Sequence, residues 1–432
     1  MKVGRGSAAR LAIWLESVDT RSVTWLVSMS LMLFVLLLPF ASFVAAMPFI
    51  QDEWQINNTQ AGAIFSAYQA GFAVAALLVI PLTDRLEPRH ILFGSATVSV
   101  IANVLFPIAA DGVITASILR AVAGAGLVGV YVPGLRVISE RFSGSGRGMA
   151  MGFFVTAFYA ANSASLVATG TLMAWLSWRE AYLALSLAAC VGLPFAFVLL
   201  RGLRQPTAVR SSGGRLDLTV LKNRQVRYFI LGYSLHAAEL YAVRVWLPAF
   251  LVVVLVARGV ESSQAAVTAA TVGGIALAAG SIGPVMGGMI SDRWGRAASA
   301  IAIFALSGVC SWIIGWMGDF PWITIVALSF VYGWAISADS AIYSTAITEV
   351  ADPARLGSTM ALQSFLGFMG GVIGPIVVGG ILDVSPDSIK WGVGFSFVGL
   401  LSITAIVGLM RLRSMPYGRT PSDSGGRPPV DA

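Results

Sequence analysis

Long apolar runs alternate with short polar segments along the whole chain. A helix needs roughly 20 apolar residues to cross the hydrocarbon core of a bilayer. The runs are continuous and lack the two-residue alternation of barrel strands, so they predict membrane-spanning helices. Twelve runs of sufficient length lie near residues 24–49, 60–82, 90–110, 114–138, 148–175, 180–201, 227–256, 264–290, 297–317, 321–347, 356–381 and 390–411.

The longest polar segment divides these predicted spans into six and six. It is rich in Arg and includes Ser211-Ser212-Gly213-Gly214, a composition typical of a linker. We therefore predict an all-α polytopic membrane protein built from two six-helix bundles. The predicted parts are a cytoplasmic N-terminal segment (1–22), a first bundle (23–201), a cytoplasmic linker (202–226), a second bundle (227–411) and a disordered cytoplasmic tail (412–432).

Composition and charge support a protein that faces lipid. Only 11% of the 432 residues are charged and 57% are hydrophobic, whereas soluble proteins carry roughly 25% charged residues. The net charge of +7 requires no nucleic-acid partner, because the basic residues flank apolar spans. Lys and Arg concentrate in the loops of one side, which predicts a bacterial inner (plasma) membrane protein with both termini in the cytoplasm.

No pattern in the sequence predicts catalysis, a cofactor or a metal site. Cys190 and Cys310 fall within apolar runs, where a free cysteine is usually a small packing residue. The chain has two His residues and no Gly-x-x-x-x-Gly-Lys-Ser/Thr phosphate loop. We therefore expect neither an enzyme nor an ATP-driven pump.

The two halves share a polar loop after their second span. The pair Asp84-Arg85 recurs 208 residues later, from position 84 to 292, as Asp292-Arg293. Near the same offset, Glu140 recurs as Glu349. A shared register predicts the duplication of a six-helix unit, with a pseudo-two-fold axis along the membrane normal and a cavity between the halves.

Three motifs resemble those of the major facilitator superfamily. The run Gly288-x-x-x-Asp292-Arg293-x-Gly295-Arg296 looks like its signature loop, and Arg120-x-x-x-Gly124-x-Gly126 is similar to its fourth-helix motif. Trp178-Arg179-x-x-Tyr182 resembles the start of its sixth helix. The first copy of the loop departs from the pattern, with Ile80 for the leading Gly and Glu87-Pro88 for Gly-Arg. The resemblance implies a twelve-helix transporter that works by alternating access.

The resemblance also implies that the two loops latch the cytoplasmic side while the transporter is open outward. An Asp at a helix end suits a neighbouring helix N-terminus, and the adjacent Arg suits an acid on the next helix. The alternative is that these are solvated loop charges that set the topology; Arg136 is a further gate candidate. The predicted gate residues are Asp84, Arg85, Arg89 and Glu140 in the first half and Gly288, Asp292, Arg293, Gly295, Arg296 and Glu349 in the second.

Ionisable residues within the predicted spans are functional candidates, because a charge near the bilayer centre costs at least ~2.5 kcal/mol. His236 and Glu239 lie one turn apart in the seventh span and can exchange protons, whereas Arg244 stays charged and suits an anion. The alternative is a static ion-pair network, for example between Glu239 and an Arg of a neighbouring helix. The predicted cavity residues are His236, Glu239, Arg244, Arg120, Asp339, Tyr68, Gln69, Asn162 and Tyr233.

These features predict a secondary active transporter that moves a small organic or inorganic anion by proton-coupled symport. The alternative is a drug or metabolite efflux antiporter, which the absence of a Gly-Pro-rich run in the fifth span disfavours. A transport-dead receptor is a third hypothesis, and the sequence shows no appended signalling domain. The predicted partners are a small-molecule substrate, protons and the lipid bilayer, and we expect no nucleic acid and a monomeric protein.

Overall fold

The computed structural model describes residues 19–82, 86–142, 145–200, 217–352 and 355–413, and over these residues the chain is helical apart from loops and turns. We number the spans α1 to α12 in chain order, and four of them consist of two segments. Their bounds are α1 Thr20–Leu36 with Ser42–Trp54, α2 Asn58–Leu82, α3 Pro88–Ala109, α4 Val113–Arg141, α5 Ser145–Leu172, α6 Trp178–Cys190 with Gly192–Leu199, α7 Arg224–Ala257, α8 Ser262–Gly280 with Gly283–Trp294, α9 Arg296–Ile314, α10 Trp322–Ala338 with Ser340–Val350, α11 Leu356–Val384 and α12 Lys390–Arg413.

The predicted twelve spans are confirmed. Among the described residues, eleven spans, α2 to α12, are long and apolar enough to cross a membrane by length and composition. The first segment of α1 has 17 residues, and Ser42–Trp54 continues it after a turn that contains Pro39. Because twelve spans alternate in direction, Thr20 and Arg413 lie on one face, which we call the terminal face. Residues 1–18, 201–216 and 414–432, which hold much of the predicted N-terminal segment, linker and tail, lie outside the described residues.

The two bundles meet mainly where α2 packs on α11 and α5 packs on α8. Small residues allow the helices to approach closely at these crossings. A Cβ added to Gly62 of α2 would lie 2.6 Å from the carbonyl oxygen of Pro375 in α11, and one added to Gly274 of α8 would lie 2.5 Å from a methyl carbon of Val167 in α5. These contacts place the boundary between the halves at the centre of the molecule.

Asp383, near the end of α11, ties the two halves together at the face opposite the terminal face. Its carboxylate accepts hydrogen bonds from the backbone N–H groups of Asn58 (2.9 Å) and Thr59 (2.8 Å) at the start of α2. It also accepts from the Asn58 amide (2.8 Å) and the Thr59 hydroxyl (2.6 Å). The free N–H groups and the dipole of a helix N-terminus favour a negative charge at this position. This cap joins the two halves at that face.

The spans α8 and α10 are each broken near the middle. The second segment of α8 begins at Gly283, and Pro284 lies in its first turn, where a missing N–H is tolerated. In contrast, α11 runs unbroken through Pro375. The α10 break falls at Asp339, between Ala338 and Ser340, without Gly or Pro. It places an acidic residue at the centre of the bundle.

Gly287 and Gly288 are neighbours in α8 with different surroundings, which gives a test of packing at the α10 break. A Cβ on Gly287 would lie 1.7 Å from the carbonyl oxygen of Ala338, whereas a Cβ on Gly288 meets nothing within 4 Å. We expect Gly287→Ala to force α8 from α10 and destabilise the protein by about 1–3 kcal/mol. The measurement is the unfolding temperature in detergent, with Gly288→Ala as the control that leaves it unchanged. Equal unfolding temperatures for the two variants would contradict this contact.

Candidate functional site

A cavity of about 200 Å³ lies between the two halves, at the place the internal repeat predicts. The first half contributes residues of α1, α2, α4 and α5, and the second contributes residues of α7, α10 and α11. Most of the wall is aromatic or aliphatic. The wall residues that carry polar groups are Tyr68, Gln69, Tyr131, Tyr159, Tyr233, His236, Tyr241, Arg244 and Ser340.

Arg244 supplies a positive charge to the cavity wall and has no acidic partner among the described residues. Arg244 is 8% exposed, and its Nε makes no hydrogen bond. The guanidinium carbon lies 5.3 Å from the ring centroid of Tyr241 and 5.7 Å from that of Tyr159. Aromatic faces stabilise a cation while leaving its in-plane N–H donors free. A guanidinium in this setting suits two-point binding of a carboxylate.

His236 connects the cavity wall to the break in α10. Its Nδ1 lies 2.8 Å from Oδ1 of Asp339, and its Nε2 lies 2.9 Å from the Ser340 hydroxyl. Both the His236 and Asp339 side chains are about 3% exposed. The rings of Tyr233 and Tyr343 lie 6.0 and 6.1 Å from the imidazole. An imidazole and a carboxylate therefore meet beside the cavity, away from solvent.

Arg120 lies behind the cavity wall rather than in it. Its guanidinium carbon is 4.6 Å from the ring centroid of Tyr68 and 5.5 Å from that of Phe43. Its Nη1 donates to the Phe40 carbonyl (3.2 Å) and the Tyr182 hydroxyl (3.4 Å), while Nε and Nη2 make no hydrogen bond. Arg120 therefore supports the wall residue Tyr68 and adds a second positive charge beside the cavity.

Glu239 points away from the cavity, into the interior of the second bundle. Its Oε2 accepts from the hydroxyls of Ser307 (3.3 Å) and Ser402 (3.4 Å), and its Oε1 accepts from Ser311 (3.3 Å) and Tyr332 (3.5 Å). The expected alternative of an ion pair between Glu239 and an Arg is not found among the described residues. The expectation that Glu239 lines the cavity also differs from the structure. Glu239 and His236 are only about 60° apart around the helix axis, but packing separates them: Glu239 contacts hydroxyls of α9, α10 and α12, whereas His236 lines the cavity.

The remaining predicted cavity residues divide between the wall and the protein interior. Tyr68, Gln69 and Tyr233 are in the wall. Asn162 instead donates from its side-chain amide to the Phe158 carbonyl of its own helix, at 2.8 Å. Sequence reasoning missed the wall residues Tyr131, Tyr159, Tyr241 and Phe368, because aromatic residues are common throughout the spans and only packing shows which of them face inward.

The predicted gate of the second half forms a cluster at the terminal face. Arg296, the first residue of α9, donates from Nη1 to Asp292 of α8 (2.7 Å) and from Nη2 to Glu349 of α10 (2.7 Å). Gly295 has a φ of 84°, a left-handed conformation that glycine adopts without strain. Arg293 takes no part in these hydrogen bonds, and a Cβ added to Gly288 would meet no atom within 4 Å. The motif therefore holds three helix ends of one bundle together.

The described residues of the first half show a different set of ion pairs. Asp84 and Arg85 lie outside the described residues. Glu140 pairs with Arg136 within α4, at 3.0 Å. Arg89 pairs with Glu87, two residues before it. Whether the first-half loop forms a cluster like that of Arg296 depends on residues outside the described ones.

Comparison with known proteins agrees with this architecture. The family profile described as Major Facilitator Superfamily matches residues 29–323 and 266–431. A hexuronate transporter of Bacillus subtilis is 25% identical over 387 residues, which cover 85% of this chain and 88% of that protein. A probable galactarate/D-glucarate transporter of the same organism is 23% identical, with 84% and 85% covered. The structure of a bacterial homologue of the human lysosomal transporter Spinster, inward-facing and occupied, matches with a TM-score of 0.75 at 14% identity, covering 94% of this chain and all of that one.

Proposed function

The chain belongs to the Major Facilitator Superfamily, and from that premise we propose that its central cavity carries a small organic anion of the sugar-acid class across a bacterial inner membrane. The terminal face is then the cytoplasmic face, as the distribution of Lys and Arg predicts. The prediction of a transporter rather than an enzyme is confirmed by the family. The protein acts as a monomer that alternates between inward- and outward-open states.

The uncompensated charge of Arg244 is the observation that carries this proposal. The cavity wall contains one guanidinium, a second one stands behind Tyr68, and the nearby Asp339 is already in contact with His236. Such a site attracts an anion and repels a cation, since a buried charge without a counterion is costly. The hexuronate and galactarate/D-glucarate transporters that the chain resembles have anionic substrates by name.

The other polar groups of the wall suit a hydroxylated anion. Gln69, Tyr68, Tyr131 and Tyr233 line the same cavity as Arg244. Hydroxyl groups of a sugar acid both donate and accept hydrogen bonds, as do these side chains. The carboxylate would bind Arg244, and the polyol chain would lie toward the tyrosines.

Proton coupling is assigned to the His236–Asp339 pair rather than to Glu239. His236 lines the cavity and also contacts Asp339 at the α10 break, so substrate binding and protonation meet at one residue. Uptake of a proton by the pair adds positive charge to the cavity and so favours anion binding. The latch residues of the terminal face, Asp292, Arg296 and Glu349, hold the second bundle rigid as the halves rock.

The test is uptake by proteoliposomes that contain the purified full-length protein. We expect saturable uptake of radiolabelled D-glucuronate or D-glucarate, and competition by either anion. The matched control is the neutral sugar D-glucose, which should neither enter nor compete because it lacks the carboxylate. Uptake of D-glucose at the rate of D-glucuronate, or the absence of uptake for both acids, would contradict the proposed substrate class.

A further inference from the structure

We propose that Glu239 and the hydroxyl groups around it form a sodium-ion site inside the second bundle, separate from the substrate cavity. Six oxygen atoms converge here from four spans. They are the two carboxylate oxygens of Glu239 in α7, the hydroxyls of Ser307 and Ser311 in α9, the hydroxyl of Tyr332 in α10 and the hydroxyl of Ser402 in α12. All five residues are buried, with exposures of 0–2%. Oxygen donors in this number are the ligands that hard cations prefer.

The spacing of these oxygens fits a coordination shell better than a set of hydrogen bonds. A hydroxyl that donates to a carboxylate normally lies about 2.5–2.7 Å from it. The four hydroxyls lie 3.3, 3.3, 3.4 and 3.5 Å from the Glu239 oxygens. Two oxygens that bind one cation at about 2.4 Å and at a right angle are about 3.4 Å apart. The Ser311 and Tyr332 hydroxyls also hydrogen-bond each other, which uses one hydroxyl proton and still leaves a lone pair on each oxygen for an ion.

The charge of the site selects a monovalent ion. Among the described residues, no Lys, Arg or His side chain pairs with Glu239, so an ionised carboxylate here would need a bound cation as its counter-charge. The other titratable groups nearby are Tyr332, Cys310 and Asp339, and Asp339 is in contact with His236. One monovalent cation neutralises the site, whereas a divalent ion would leave an excess charge that is costly in lipid. The alternative neutral state, a protonated carboxyl group, would make one short hydrogen bond, and the four contacts are all long.

Sodium would connect this site to the cavity through α7. Glu239 lies between His236 and Arg244 on the same span, and its hydroxyl partners lie on α9, α10 and α12. An ion shared by these four spans would fix the rotation of α7 and the position of both cavity residues. Any ligand that binds only the folded state also stabilises it, in proportion to the logarithm of its concentration. Binding should therefore be visible as stabilisation without any substrate.

The test is thermal unfolding of the purified full-length protein at pH 8 in NaCl, KCl or choline chloride at equal ionic strength. We expect the unfolding temperature to rise with Na⁺ in a saturable way and to stay unchanged with K⁺, a larger ion that requires wider oxygen spacing. Glu239→Gln should abolish the response. Ser402→Ala removes one ligand and should raise the half-saturating Na⁺ concentration by about tenfold or more. Ser329→Ala is the control, because this buried hydroxyl bonds the Ile325 carbonyl of its own helix and should leave the response intact.

The absence of a Na⁺-specific shift in the wild-type protein would overturn the proposal and assign a protonated carboxyl group to Glu239. A full Na⁺ response in Glu239→Gln would overturn it as well. If Glu239→Gln fails to fold, the test is the equilibrium binding of ²²Na⁺ to the wild-type protein and to Ser402→Ala. Equal affinities of the two proteins for Na⁺ would exclude this set of ligands. None of these measurements uses a transported anion, so their failure is distinguishable from failure of the proposed function.

Discussion

Replacement of Arg244 by Gln is expected to reduce D-glucuronate uptake at subsaturating concentration by about 100-fold or more. Removing one partner of a buried hydrogen-bonded charge pair costs about 2–5 kcal/mol, and each 1.4 kcal/mol corresponds to about tenfold in affinity. Arg244 is the guanidinium of the cavity wall, and its guanidinium carbon lies over the rings of Tyr159 and Tyr241. The measurement is the initial rate of uptake in proteoliposomes over a range of substrate concentrations.

Two further variants separate the role of Arg244 in binding from its general charge. Arg244→Lys keeps the charge but loses the planar fork, so we expect weaker binding with partial activity. Arg413→Gln removes one positive charge from the exposed end of α12 and should leave uptake unchanged. Wild-type uptake by Arg244→Gln would contradict the assignment of the anion to this residue. An equal loss in Arg413→Gln would instead indicate that net charge, and not the cavity, controls the rate.

The number and limits of the spans followed from the apolar runs because lipid leaves a helix few alternatives. Each backbone group must bond within its own span, so a run of about 20 apolar residues is nearly sufficient evidence. The predicted seventh span, 227–256, and the observed Arg224–Ala257 differ by only a few residues. Two helix breaks also coincide with a proline in the sequence: Pro39 lies in the turn of α1, and Pro284 lies at the start of the second segment of α8.

The contents of the cavity were less predictable because they depend on how each helix is rotated. His236 and Glu239 are one turn apart, yet one faces the cavity and the other faces Ser307 and Ser402. The α10 break at Asp339 has neither Gly nor Pro, so the sequence marked Asp339 as a charge within a span but gave no sign of the break that brings it to His236. The packing between helices determines which side chains face the cavity, and the spacing of residues along one helix does not determine it.

The duplication explains the symmetric architecture but not the distribution of charge. The second-half loop joins three helix ends through Arg296, whereas Glu140 of the first half pairs within its own helix. The cavity charges likewise belong mostly to α7, the first span of the second half. The halves therefore share a scaffold, and the proposed anion, proton and sodium sites all depend on one helix of one half.

Asp339→Asn is expected to abolish the accumulation of substrate that a proton gradient drives. The exchange of substrate across the membrane at equal pH on both sides should remain intact. The neutral amide cannot take up a proton, and it leaves His236 without the carboxylate that lies 2.8 Å from it. One proton carried with each anion across a gradient of one pH unit supports about tenfold accumulation, because one unit is 1.36 kcal/mol. We therefore expect about tenfold accumulation in wild type and simple equilibration in the variant. The measurement is D-glucuronate uptake with the outside more acidic and with Na⁺ equal on both sides.

His236→Gln and Ser340→Ala sharpen this test. His236→Gln should also lose the gradient-driven accumulation, since it removes the imidazole of the pair proposed to carry the proton. Ser340→Ala deletes only the hydroxyl that contacts Nε2 and should stay coupled. Exchange of internal for external substrate, measured without a gradient, shows whether each variant still binds and alternates. Gradient-driven accumulation in Asp339→Asn at the wild-type level would show that another group carries the proton. A loss of exchange together with accumulation would mean that Asp339 acts in binding, because a residue that only couples the proton leaves exchange intact.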